Sequence, residues 1–401
     1  MKWKLGLTSD QHLKGNGLRR KLQCVTWAQE LFLEQGVVAE INAGDIFEQD
    51  QVGDQKRTVG AIKSAYVAVL APLLDHYLLE GNHDRHSPSR GSALLLFDHP
   101  RIHTITEPAI KSIRDDSKHV VVVIVFMPWQ YSTAWVTPEE RASGQGHELF
   151  TDRVDDRLCG LHEAARLMAE EAGGVPVLLC AHGRVSGAKN NQRKKYTGGT
   201  GFELRRPTVG LFDHAILGDL HLRQQELDGI RGGYVGALTQ EGQDEEGNPS
   251  GVEVLTWEDG AFTSEWFECP CARRYATIHI SPESKLSGDF EIVKPDDLTC
   301  LRVKYVPSDN SDEQLDYRMK LAELATWGIR LEREKCEVAS KTRLSAEQAQ
   351  RGRRITEPAA ALDFYGEVTQ MPAEELSGLQ EELTTLLQEE SDAPTDQNVA
   401  D

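Results

Sequence analysis

Five apolar runs in this chain end in side chains able to bind a cation or move a proton. They are followed by Asp10 and His12, by Asp45, by Asn82 and His83, by His182, and by Asp219 and His221. Carboxylate and imidazole donors together suit divalent first-row metals, and neither a zinc-thiolate nor a haem site fits them. Each position alone has an ordinary reading. Asp10 or Asp45 could cap a helix, Gly218-Asp219 could be a plain turn, and a lone histidine is commonly a satisfied polar group. The repetition is what matters, because all five fall at the ends of buried strands, where α/β sheets keep their chemistry.

Those residues need elements to hold them. Residues 2–9 read as a strand, 18–35 as a helix, 37–43 as a strand and 55–70 as a helix that stops near Pro72. A third strand runs to Gly81, where the chain can turn sharply before Asn82-His83-Asp84. This β-α-β-α-β order predicts an α/β sheet with parallel neighbours. Residues 120–126 form an unbroken apolar run and read as a central strand; 156–172 read as a helix, and 176–180 and 212–217 as strands. From 233 to 280 the pattern changes to short strands with Gly and Asn turns, expected to be antiparallel pieces completing a second sheet.

The expected division is a domain over 1–270, a small α+β capping domain over 271–340, and a linker with amphipathic helices over 341–390. The last residues, 391–401, form an acidic tail expected to be disordered. Within the third segment Leu376, Leu379, Leu383, Leu386 and Leu387 recur at helical spacing.

The 401 residues carry a formal charge of −20, but residues 355–401 contain twelve acids and no Lys or Arg, leaving −8 for the rest. Overall acidity argues against a nucleic-acid partner, since phosphate binding needs positive surface; its concentration in a tail softens that argument. No apolar run approaches a membrane span, and the N-terminus has a strand pattern in place of a signal-peptide core. The seven cysteines are scattered and odd in number, so the expected compartment is reducing and cytoplasmic, with no membrane partner. Cys269-Pro270-Cys271 is too tight for a zinc knuckle, has no second pair nearby, and reads as structural.

In order, Ser9-Asp10-Gln11-His12-Leu13, Gly44-Asp45-Ile46-Phe47, Gly81-Asn82-His83-Asp84, the lone His182, and Gly218-Asp219-Leu220-His221 resemble the calcineurin-like metallophosphoesterases. The wider stretches 217–224 and Tyr234-Val235-Gly236-Ala237-Leu238 are similar to the SbcD-type nuclease branch, bacterial or phage. The resemblance covers roughly residues 1–225. It implies a four-layer α/β/β/α sandwich with two divalent metals, usually manganese in this branch, with magnesium compatible. Carried over, Asp10, His12 and His221 would hold one metal, Asn82, His182 and Asp219 the other, and Asp45 would bridge them. His83 would stand beside the substrate as general acid or phosphate stabiliser. The family usually has histidine at the place of Asp219. The extra carboxylate is expected to retain metal with a preference for manganese or magnesium over zinc. The family also often has histidine where this chain has Glu48; Glu48 or Asp84 would then orient His83.

The segment 182–206 supplies Arg184, Lys189, Arg193, Lys194 and Lys195 as expected contacts to a DNA backbone on a mobile loop. The resemblance implies a DNA exonuclease or endonuclease acting in repair or recombination. Its partner would be an SMC-like SbcC-type ATPase docked on the C-terminal helices, and a homodimer is compatible. The competing expectations are a phosphatase or cyclic-nucleotide phosphodiesterase of the same superfamily, and a scaffold with a degenerate site.

Overall fold

The computed structural model describes residues 2–15, 17–48, 56–70, 74–85, 91–191, 194–195, 202–225, 227–280, 296, 298–305, 314–333, 377 and 380. Two compact units divide the chain, Met1–Arg333 and Glu334–Asp401. In the second, Ser377 and Gln380 are helical; the expected linker, most of the partner-binding helices, the leucines above and the acidic tail lie outside the described residues.

In chain order the first strands are β1 (Lys2–Thr8), β2 (Ala39–Asn42), β3 (Asp75–Leu79), β4 (Ile102–Ile105), β5 (Ala109–Arg114), β6 (Val120–Met127) and β7 (Val177–His182). Four short ones follow: β8 (Arg184–Val185), β9 (Lys189–Asn191), β10 (Lys194–Lys195) and β11 (Glu203–Leu204). Then come β12 (His214–Gly218), β13 (Gly232–Tyr234), β14 (Gly251–Glu258), β15 (Ala261–Glu268), β16 (Arg274–Ile280), β17 (Thr299–Tyr305) and β18 (Arg330–Arg333).

Two mixed sheets form the body of the first unit. One has the order β15-β14-β1-β2-β3-β4, the other β13-β12-β7-β6-β5. In the first, β1 through β4 are parallel; in the second, β13, β12, β7 and β6 are parallel and β5 is antiparallel to β6. Alternation explains the layers. Trp3, Leu5 and Leu7 of β1 and Ile41 of β2 pack against Val122, Ile124 and Phe126 of β6 and Leu178 of β7, filling the space between the sheets. The other faces of β6 and β7, through Val123, Val125, Val177 and Leu179, meet Phe150, Val154, Leu158 and Leu161 of the helix Gly146–Glu171. Helices Leu18–Gln35 and Lys56–Val69 cover the first sheet through Val25, Phe32, Ile62 and Tyr66. Strands buried on both faces read as continuous apolar runs, which is why 120–127 contains nothing polar.

Glu40 is a polar exception beneath the first sheet. It is fully buried and accepts hydrogen bonds from Thr8 (2.8 Å) and Gln29 (2.8 Å), and its other partner is the His76 ring at 2.7 Å. Thr8 in turn receives Asn42 at 3.1 Å, and Asn42 accepts the Gly44 amide at 2.9 Å. A buried charge needs such a set of partners, and this one ties β1, β2, β3 and the first helix together just below the strand ends.

Three expectations change. The helix expected to start at 156 begins at Gly146, because Phe150 and Val154 continue its buried stripe one turn at a time. The pieces after 233 do not simply complete the second sheet. Only β13 joins it, in parallel, whereas the β14–β15 hairpin adds to the first sheet by pairing β14 antiparallel with β1, Lys2 opposite Glu258 through Leu7 opposite Glu253. Across that junction Trp3 stacks on Trp257, and Phe262 packs edge-on against Trp3 and tilted against Trp257. In the basic segment, β8 pairs with β11 and β9 with β10, so its described parts are laddered where a loop is expected. Beyond the sandwich, β16, β17 and β18 make a three-stranded parallel sheet. With the helix Gln314–Thr326 it closes a small core of Ile280, Val303, Leu324 and Ile329. Among the described residues no helix is long and apolar enough to cross a membrane.

Candidate metal centre

The backbone itself marks the strand ends. Six described non-glycine residues have positive φ, and four of them are Asp10 (50°), His12 (46°), Asp45 (56°) and Asp219 (90°). Such conformations are costly outside glycine and persist where surrounding structure enforces them, often at functional sites. Here the sharp turns are set by ladders between loops: the amides of Asp10, His12 and Leu13 donate to the carbonyls of Gly44, Asp45 and Ile46. Glycine is required beside them. A Cβ on Gly44 would run into the His182 ring, and one on Gly81 into the Asp45 carboxylate.

These turns bring together donors from both sheets. His12 Nε2 faces His221 Nε2 at 3.0 Å, with Asp10 Oδ1 3.8 Å from the latter and Asp45 Oδ2 3.7 Å from the former. On the other side of Asp45, His182 Nε2 lies 3.3 Å from Oδ2, 3.0 Å from Asn82 Oδ1 and 4.0 Å from Asp219 Oδ1. The Asp45 carboxylate therefore stands between two donor sets. Two imidazole nitrogens meeting at 3.0 Å, with three carboxylates beside them, make a donor set that suits a cation. The donor atoms of Asp10, His12 and His221 fall within 4.8 Å of one another, as do those of Asp10, Asp45 and His182. The residues thus fit a pair of divalent ions.

Partners behind the rings set their tautomers. His182 Nδ1–H donates to the Ala43 carbonyl at 2.7 Å, and His221 Nδ1–H to Glu245 at 2.6 Å, which leaves each Nε2 facing the centre. Burial disfavours the charged form of both rings. The carboxylates outweigh it, Asp45 foremost at His182, Glu245 and Asp10 at His221, and raise each pKa to about 10. The same negative field would attract a metal cation. Glu245 escapes a sequence reading because nothing local marks it, although it holds the ring as carboxylates typically do behind a metal-bound histidine. Glu245→Ala is expected to weaken manganese affinity by about 10–100-fold. Calorimetric titration checks this, and an unchanged affinity would show that the ring is held by something else.

Asp219 stands where the resemblance leads to an expected histidine, and its partner explains how the site accommodates the carboxylate. Arg184 Nε donates to Asp219 Oδ2 at 2.6 Å, leaving Oδ1 turned toward His182. The guanidinium returns the unit of charge by which an aspartate differs from a histidine. Arg184, expected to contact nucleic acid, is thus found on the centre's own carboxylate. Of the other expected contacts, Lys189 is exposed; Lys194 and Lys195 lie on β10, and Arg193 is outside the described residues. Arg205 pairs with Asp152, and Lys14 with Glu241 at 2.9 Å.

His83 occupies the rim. Its side chain is 31% exposed against 0% for His182 and 3% for Asp45. Its amide donates to Asp45 Oδ1 at 2.8 Å, and its ring Nδ1 lies 2.8 Å from Glu48. Glu48 is therefore the orienting carboxylate. Asp84 serves the backbone instead. It is fully buried and accepts the amides of Asp45 (3.0 Å), Gly81 (2.8 Å) and Phe47 (2.8 Å), locking two loops together. Burial lowers the His83 pKa, but Glu48 and Asp45 more than offset that and raise it. A raised pKa keeps the ring protonated to higher pH. Glu48→Gln should therefore move the alkaline limb of the kcat–pH profile to lower pH. A limb that stays in place, with metal content unchanged, would separate Glu48 from His83.

No family model matches the sequence, and none of the curated proteins matches it. Among solved structures the chain is similar to a dimetal phosphatase from Danio rerio, with 10% identity and a TM-score of 0.44, over 66% of this chain and 95% of that one. It is also similar to GAP50, the anchor in the inner membrane complex of Plasmodium, with 12% identity and a TM-score of 0.42, over 67% and 85% of the two chains.

Proposed function

We propose that this chain is a divalent-metal-dependent phosphodiesterase and that its substrate is the DNA backbone. The observation that carries the first half is Asp45, shared between two sets of histidine and carboxylate donors with a protonatable His83 at the opening. Asp10, His12 and His221 would hold one ion and Asn82, His182 and Asp219 the other. Bound there, two manganese or magnesium ions would neutralise the scissile phosphate and activate a water for in-line attack. The protein supplies the rest. Glu245 and the Ala43 carbonyl present the correct ring nitrogens, Arg184 balances Asp219, and Glu48 aims His83. His83, held protonated, donates to the departing oxygen, which a neutral leaving group requires.

The DNA half rests on the SbcD-like motifs and on the basic stretch that follows His182 in the sequence, where Lys189 is exposed. In this reading the C-terminal helices dock on an SMC-like ATPase. An acidic chain is well served by a partner that provides much of the grip on DNA. The test compares manganese-dependent hydrolysis of linear duplex DNA, bis(p-nitrophenyl) phosphate and a phosphate monoester by the same preparation. Cleavage of both diesters is expected. Hydrolysis confined to the monoester would make the chain a phosphatase, and no hydrolysis of any of the three would make it a scaffold.

A further inference from the structure

Away from the strand ends, three cysteines converge. Cys24 lies on the helix Leu18–Gln35, and Cys269 and Cys271 flank Pro270 in the turn between β15 and β16. Cys271 Sγ is 3.4 Å from Cys269 Sγ and 3.5 Å from Cys24 Sγ, although Cys24 and Cys271 are 247 positions apart in the chain. All three sulfurs fall within 4.8 Å of one another.

We infer that Cys24, Cys269 and Cys271 form a trithiolate site for a zinc ion, distinct from the centre at the strand ends. The spacing suits it. A tetrahedral zinc with Zn–S of about 2.3 Å sets sulfurs about 3.8 Å apart, close to the separations found here. The backbone amides of Cys271 and Ala272 are directed at the Cys269 sulfur, which favours thiolate there. The hydrogen bond with Cys269 and burial push the Cys24 thiol up, and burial and Cys269 push the Cys271 thiol up, so those two would give up their protons to the bound cation. Cys24 and Cys269 are fully buried, while Cys271 is partly exposed. The ion would enter from the Cys271 side, and its fourth position, taken by water or an external donor, would face the same way. Three sulfur donors select a soft d10 cation; the nitrogen and oxygen donors of the other centre do not.

The site would fasten two parts that the main centre depends on. The same helix carries Lys21, whose ammonium donates to the carbonyls of Gln11 (3.2 Å) and His12 (2.5 Å). The turn continues to Arg273, whose amide donates to Thr239 at 2.9 Å, at the start of the loop that carries Glu245.

Cobalt substitution separates the two centres. The full chain, reduced with a phosphine and stripped of metal, is titrated with Co2+ and read in the near ultraviolet, where thiolate-to-cobalt charge transfer absorbs and nitrogen–oxygen sites do not. The wild type should develop this band to the intensity of one thiolate-bound cobalt per chain and lose it on adding Zn2+. Cys24→Ser and Cys271→Ser should each lose it, and Cys159→Ser, on the helix Gly146–Glu171, should keep it. A wild type with no band, its reduced thiols titrating as free, overturns the inference. So does a band that survives in both cluster variants. The wild-type spectrum decides even where a variant fails to fold.

Discussion

His83→Ala is expected to lower kcat for phosphodiester cleavage by about 10²–10⁴-fold, the range for loss of a positioned acid–base group, with bound metal unchanged. Alanine keeps the backbone amide that donates to Asp45 Oδ1, so the donor sets stay in place. What disappears is a ring that stands partly in solvent, is aimed by Glu48, and has its pKa raised by Glu48 and Asp45. A leaving group of low pKa, such as p-nitrophenolate, needs less protonation and should be the less affected substrate. The competing role for the ring is as a ligand, because the donor atoms of His83, Glu48 and His12 also fall within 4.8 Å of one another. Metal content measured beside the rate distinguishes them: a parallel fall in both would make His83 a ligand.

The second large effect is expected at Asp45. Asn at this position keeps the size of the side chain and removes the charge that both donor sets share. Removing a residue that merely orients a ligand typically weakens metal affinity by about 10–100-fold. Asp45 is itself the shared donor, 3.3 Å from His182 Nε2 and 3.7 Å from His12 Nε2. Asp45→Asn should therefore exceed that range for at least one ion and remove activity at ordinary manganese concentrations. Full activity with two ions bound would show that the bridge lies elsewhere.

The parallel core of the fold is legible in the sequence because burial on both faces leaves long apolar runs, and a polar residue at their ends stands out. That is how Asp10, Asp45, Asn82 and His182 can be picked from one sequence. Boundaries are less legible: the helix that begins at Gly146 has a polar, acidic first half, and its buried Phe150 and Val154 are too sparse to mark the start. Pairings between remote segments are not legible. The β14–β15 hairpin could have served either sheet, and its partner β1 precedes it by most of the first unit's sequence. The same limit hides the outer partners of the centre. Glu245 behind His221 and Arg184 against Asp219 are ordinary charged residues until the fold brings them close. Cys24 gives a tight Cys-Pro-Cys turn a third sulfur that no local spacing announces.

The proposed catalysis depends on two divalent ions joined through one carboxylate. Electron paramagnetic resonance of the manganese-loaded chain tests that directly, because two manganese ions about 3.5–4 Å apart share a bridge and couple their spins. Two ions per chain with a spin-coupled spectrum, lost in Asp45→Asn, is the predicted result. One ion per chain with the six-line signal of isolated manganese would contradict it.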